Sequence, residues 1–192
     1  MVLVLKSLIV VALGVALGLA GTYMAVERSL GFGAIHAGAW TGWPKAGARE
    51  ADPYSRATRS RSGEMPLGLT EGVSFIAKND DQGAPLDPAC EFTIGGATPT
   101  ARFWTLTALT PEGRLIDTKT RKHGFTSSEV TRDGAGDFFI QVATQARPGN
   151  WLPIAPGQPF VLLLRLYDTV LSASSNALDA SLMPSVKRGR CA

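Results

Sequence analysis

The chain opens on an unbroken apolar run and changes, past residue 70, to a two-residue alternation of apolar and polar positions. From Leu8 to Val26 it reads LIVVALGVALGLAGTYMAV, with no charge and no polar face. A helix needs ~20 such residues to cross a hydrocarbon core, and lipid obliges the backbone to satisfy its own hydrogen bonds. Residues 1–26 are therefore expected to be a transmembrane anchor, with residues 8–26 in the lipid bilayer. Tyr23 suits the headgroup boundary, and Gly14 and Gly18 are spaced for close helix packing. The rival reading is a cleaved signal peptide, with Lys6 as its charged end and Gly18-Leu19-Ala20 as its cleavage site. The run is longer than a signal core and continues past that site through Met24-Ala25-Val26, which favours an uncleaved signal-anchor.

Residues 27–51 are rich in Gly and Ala and read as a linker; Trp40 and Trp43 within it suit either the headgroup level or the surface of a domain. Asp52-Pro53 then opens a short helix, predicted to run to Arg61 and to stop at Gly63. From Val73 the period is two. Strands are predicted over Val73–Ala77, Glu91–Ile94, Arg102–Thr110, Asp137–Thr144 and Phe160–Tyr167, the last central and covered on both faces. Pro111-Glu112-Gly113 predicts a hairpin into Arg114–Asp117, residues 118–136 read as irregular, and Arg147 to Pro159 as a long ordered loop. The expected fold is mostly β. It is an antiparallel sandwich or jelly-roll-like domain over residues 52–192, with one N-terminal transmembrane helix and a short helix before the first strand. Phe75, Phe92, Ile94, Trp104, Leu106, Phe138, Ile140, Leu162 and Leu164 are the expected core.

Composition narrows the function class. Hydrophobic residues make up 45% and charged residues 18%, which excludes a mainly disordered chain. Without Lys6 the remainder carries 18 basic and 16 acidic residues, too balanced for a nucleic-acid footprint. The one dense basic run, Arg56, Arg59 and Arg61, reads as a solvated helix face that could also touch anionic headgroups. Cys90 and Cys191 are the two cysteines, and with His36 and His123 the two histidines they fall short of a zinc site. A Cys90–Cys191 disulfide is expected, tying the C-terminal tail to the middle of the domain. That bond requires an oxidising compartment. Flanking charge leaves orientation undecided, so the cysteines set it: N-in, with the C-terminal domain on the periplasmic side of an inner membrane.

The stretch Ala101-Arg102-Phe103-Trp104-Thr105-Leu106-Thr107, with Gly113-Arg114-Leu115-Ile116, resembles the first signature of the domain-of-unknown-function 1214 family. Gly149-Asn150-Trp151-Leu152-Pro153 with Leu164-Arg165-Leu166-Tyr167 resembles the second. Asp52-Pro53-Tyr54 and Leu182-Met183-Pro184 with Cys191 resemble its short, membrane-anchored branch. The resemblance covers roughly residues 50–191. It implies a jelly-roll-like β domain and no reaction. In longer relatives this domain follows a second, uncharacterised domain, so a separate protein carrying that companion domain is the partner the resemblance implies.

No catalytic set stands out, and no cofactor is expected. His123 with Ser127, Ser128 and Asp133 contains triad residue types, but a triad is a geometry and this is a polar loop. Asn79, Asp80, Asp81 and Asp87 carry oxygen ligands without EF-hand spacing, and read as turn chemistry. The sharpest constellation is Trp104, Asn150, Trp151, Arg165 and Tyr167. An arginine inside an apolar strand must have its charge met. Structurally, Arg165 would bind loop carbonyls or Glu71, and its loss would cost stability, while Asn150 pins its own loop. Functionally, Arg165 with Trp104 and Trp151 would line a cleft for an anionic or sugar ligand. The expectation is a membrane-tethered envelope protein acting as a non-catalytic binding or partner-interaction module; the alternative is an enzyme acting on envelope glycan or lipid.

Overall fold

The computed structural model describes residues 2–27, 34–45, 47–48, 51–62, 66–68, 70–169, 171 and 180–191. Helix α1 (Val2–Glu27) contains the apolar run. Its stretch Val2–Ala25 is long and apolar enough to cross a membrane, and the rest of the protein leaves it uncovered up to Ala25. Helix α2 (Pro53–Ser62) begins where Asp52 caps it. The Asp52 carboxylate accepts the Ser55 amide at 2.9 Å and the Ser55 hydroxyl, and its carbonyl accepts the Arg56 amide at 3.1 Å. The expected stop at Gly63 lies outside the described residues.

Among the described residues there are ten strands: β1 (Ile35–Ala37), β2 (Trp40–Gly42), β3 (Gly72–Ala77), β4 (Cys90–Gly96), β5 (Ala101–Leu109), β6 (Gly124–Thr126), β7 (Phe138–Ala143), β8 (Asn150–Pro153), β9 (Val161–Thr169) and β10 (Ser185–Cys191). They form a six-stranded sheet in the order β1-β2-β3-β9-β5-β6 and a four-stranded sheet in the order β10-β4-β7-β8. All pairs are antiparallel except β7 with β8, which is parallel, so the second sheet is mixed. The sheets meet through the core. Trp104 and Phe138 lie 4.7 Å apart between ring centres, and every expected core residue is 3% exposed or less.

Several segments differ from their sequence reading. Residues 35–42, inside the expected linker, form a hairpin that joins the edge of β3. Trp40 there is 1% exposed, so its ring is a core residue, while Trp43 is half-buried. The expected loop 147–159 contains β8, and the expected irregular stretch contains β6. Both strands are too short to show a period. The hairpin predicted after β5 closes only as a turn. Gly113, at φ 81°, donates its amide to Thr110, and one isolated bridge joins Leu109 to Leu115. No strand forms at 114–117, because both edges of β5 are already paired, to β9 and to β6.

The C-terminal segment is fastened twice. Strand β10 pairs with β4, and at its end Cys191 is disulfide-bonded to Cys90, across 101 positions of sequence. Closing a loop of that length stabilises by ~4–5 kcal/mol in the chain-entropy model. Earlier in the strand, Arg188 donates from Nε to the Asp80 carboxylate at 2.8 Å and from Nη2 to the Pro85 carbonyl. Asp80 also accepts the amides of Gln82 and Ala84, and Asp81 accepts the Val186 amide. The acidic turn after β3 is thus a clasp for β10. Burial pushes the Asp80 carboxyl up, but the hydrogen bond from Arg188 and the amides of Ala84 and Gln82 together outweigh it. The net result lies below the ordinary 3.8.

Candidate functional site

Side chains alternate across a strand, so each sheet has a core face and an outer face. On β9, Leu162, Leu164 and Leu166 face the core. Leu163, Arg165 and Tyr167 therefore lie on the outer face, where Arg165 and Tyr167 are half-buried and Leu163 is covered, at 5% exposed. Pairing across β9 sets Arg165 between Ser74 of β3 and Thr105 of β5, with Thr126 of β6 opposite Thr105. The next outer row is Gly72, Tyr167 and Phe103, where the two rings lie 5.8 Å apart. The row on the other side holds Ile76, Leu163 and Thr107. This face has a cation and hydroxyls at its centre and apolar side chains above and below.

Arg165 is half-buried. Its Nε and the Ser74 hydroxyl are both sealed from solvent and have no hydrogen-bond partner among the described residues. Glu71, one of the partners anticipated for Arg165, instead accepts the Gly68 amide at 3.0 Å. Glu129 accepts the Thr126 amide at 3.1 Å, and Asp168 pairs with Arg102 at 3.4 Å. Each of these three carboxylates thus has a partner other than Arg165.

The structure separates the other members of the anticipated constellation. Trp104 precedes Thr105, so it points to the opposite face from Arg165, into the core. Asn150 and Trp151 lie on β8, in the other sheet. The cleft lined by Arg165, Trp104 and Trp151 is therefore not formed, and of the five residues only Arg165 and Tyr167 share a surface. Asn150 is 8% exposed and does pin a loop, although not its own. Its Oδ1 accepts the Thr131 amide at 2.8 Å, and its Nδ2 donates to the carbonyls of Thr131 and Phe139. Trp151 donates from its indole to the Ala143 carbonyl at 3.1 Å.

The triad residue types are likewise spent separately. Ser127 Oγ accepts the Trp104 amide, and Asp133 accepts the amides of Ala135 and Asp137. His123 has a buried Nδ1 without a partner among the described residues. On the second sheet, Arg147 forms an ion pair with Glu91, and its hydrogen bond holds the Glu91 carboxyl below the ordinary 4.5, with help from the Arg190 charge.

Ser74, Thr105 and Thr126 escape a sequence reading because each is an ordinary polar residue of a strand. Only pairing between strands far apart in sequence brings them beside Arg165. The parity of Arg165 against Leu164 and Leu166 was the one local signal that it faces away from the core.

The family model described as "Protein of unknown function (DUF1214)" matches residues 71–170. These residues span β3 to β9 and so include Arg165 and its cross-strand neighbours. No curated protein matches the chain. Among solved structures, the VPA0106 protein from Vibrio parahaemolyticus is similar at a TM-score of 0.59 and 20% identity, over 73% of this chain and 36% of that one. This chain thus spans about a third of that protein's length. A putative uncharacterised protein from Burkholderia cenocepacia is similar at a TM-score of 0.44 and 15% identity, over 88% of this chain and 49% of that one.

Proposed function

The chain belongs to the DUF1214 family of proteins of unknown function, and on that premise we propose that it is a membrane-tethered envelope module, a binding or partner-interaction domain rather than an enzyme. The observation that carries this reading is α1, whose apolar surface is left open by its own protein along Val2–Met24. Such a surface is stable in lipid and costly in water. The Cys90–Cys191 bond supports an oxidising location for the β domain. Together they favour a single-pass, N-in arrangement with the domain on the periplasmic side of an inner membrane. A protein carrying the companion domain of longer relatives is the partner class to seek.

The test is a pair of C-terminal fusions. Alkaline phosphatase fused after Ala192 is expected to be active and a cytosol-only fluorescent reporter silent. The opposite pattern removes the envelope assignment. For the binding role, the full chain is captured from native membranes in mild detergent, and a stoichiometric partner is expected. Turnover of an envelope glycan or lipid by the purified protein, abolished by one point mutation, overturns the non-catalytic reading.

A further inference from the structure

We propose that the outer face of the six-stranded sheet is a binding site for an oxyanion, a phosphate or carboxylate group, centred on Arg165. This rests on the binding-module reading and names the ligand class for it.

A guanidinium stays charged at every physiological pH, so burial cannot be relieved by losing a proton. A covered cation therefore needs an anion or several carbonyls around it. At Arg165 the protein supplies neither among the described residues. Nε is sealed and unbonded, no carboxylate among the described residues forms an ion pair with Arg165, and Glu71, Glu129 and Asp168 each have another partner. The immediate neighbours across the strands are Ser74 and Thr105, both hydroxyl donors. The Ser74 hydroxyl is itself buried and unpaired. A cation flanked by hydroxyls, with no anion paired to it among the described residues, is half of a charge-assisted recognition pair.

The surroundings suit a ligand more than a bulk ion. Half-buried Tyr167 flanks Arg165 on one side along β9 and buried Leu163 on the other, and Phe103 extends the aromatic surface on β5. An apolar rim around a few polar groups is the usual build of a site that orients an organic anion. Central strands, paired on both sides, hold the groups rigid. The anion is therefore expected to be the charged end of a molecule with an apolar or ring portion. It would come from a free metabolite or from a lipid headgroup.

The experiment uses the full chain in micelles with its arginine side chains labelled with nitrogen-15. Inorganic phosphate and acetate are titrated at constant ionic strength set with sodium chloride, and the Arg165 Nε–H resonance is followed. A saturable shift is expected with at least one of the two anions. The Arg165→Gln variant is expected to weaken the same binding, followed by tryptophan fluorescence, by about tenfold or more. Ser74→Ala, a milder change, is expected to weaken it while leaving the fold intact. A second arm replaces the anions with micelles doped with phosphatidylglycerol or phosphatidylcholine. Saturation there and not with free anions assigns the headgroup as the source. Absence of a saturable response in every arm, or a response unchanged in both variants, overturns the site. Failure here leaves the topology fusions untouched, and failure of those fusions leaves this titration standing.

Discussion

The indole of Trp40 donates to the Pro184 carbonyl at 2.7 Å, a buried bond between residues 144 positions apart. It joins the first hairpin of the larger sheet to the segment entering β10 of the smaller one. With the Cys90–Cys191 bond, it makes both ends of the β domain part of the sandwich. Trp40→Phe keeps most of the ring but strands a buried carbonyl. It is expected to cost about 1–3 kcal/mol. Urea denaturation compares the two proteins, and equal midpoints would show the bond to be without weight.

Loss of the disulfide frees β10 at its far end. Cys191→Ser is expected to lower stability by up to ~4–5 kcal/mol in the chain-entropy model. Non-reducing mass spectrometry of protein from native membranes is expected to find Cys90 joined to Cys191. Two free thiols in that sample would refute the bond and the compartment it implies.

Asn150 meets three backbone groups in the loop before β7 and on β7 itself. Asn150→Ala leaves those groups without a partner in a site that is 8% exposed. The expected cost is ~2–4 kcal/mol, since each buried unmet group costs about 1–3. Trp151→Phe loses one bond and is expected to cost less. Thermal melts that rank the two the other way would contradict the role given to Asn150.

Acid sensitivity follows from Asp80 and Glu91. Both carboxyls have lower pKa values in the folded protein than their ordinary 3.8 and 4.5. The unfolded chain therefore takes up protons first as pH falls. Their stabilising share is complete above about pH 5, and is lost below about pH 4 as the folded values are approached. The melting temperature is expected to be level from pH 7 to 5 and then to drop. Asp80→Asn is expected to be less stable at pH 7 and to show a shallower acid decline. A parallel decline in wild type and variant assigns the sensitivity elsewhere.

Arg165→Met tests the energetic claim about the outer face. No carboxylate among the described residues pairs with Arg165, so the change strands no partner among them and keeps an apolar stem of similar reach. Stability is expected to be unchanged or raised. A fall of more than about 3 kcal/mol would mean that the charge is met within the protein.

Much was legible in the chain itself because the signals are local. Nineteen uncharged residues from Leu8 to Val26 specify an apolar helix whatever follows them. Asp52-Pro53 carries its own cap. The alternation in Val73–Ala77, Arg102–Thr110 and Asp137–Thr144 fixes strand and inward face together, which is why Phe75, Leu106 and Ile140 could be placed in the core.

Tertiary structure decided what depends on partners distant in sequence. Strands β1, β2 and β8 span three or four residues, too few for a period, and exist because a neighbouring edge accepts them. The same cause moved Trp40 from a presumed linker into the core. It also divided the five-residue constellation. Trp104 and Arg165 are drawn together by β5–β9 pairing yet point to opposite faces, while Asn150 and Trp151 belong to the other sheet. Residue types announced an arginine in an apolar strand; only the register of β3, β9 and β5 could say that hydroxyls flank it and that no carboxylate among the described residues pairs with it.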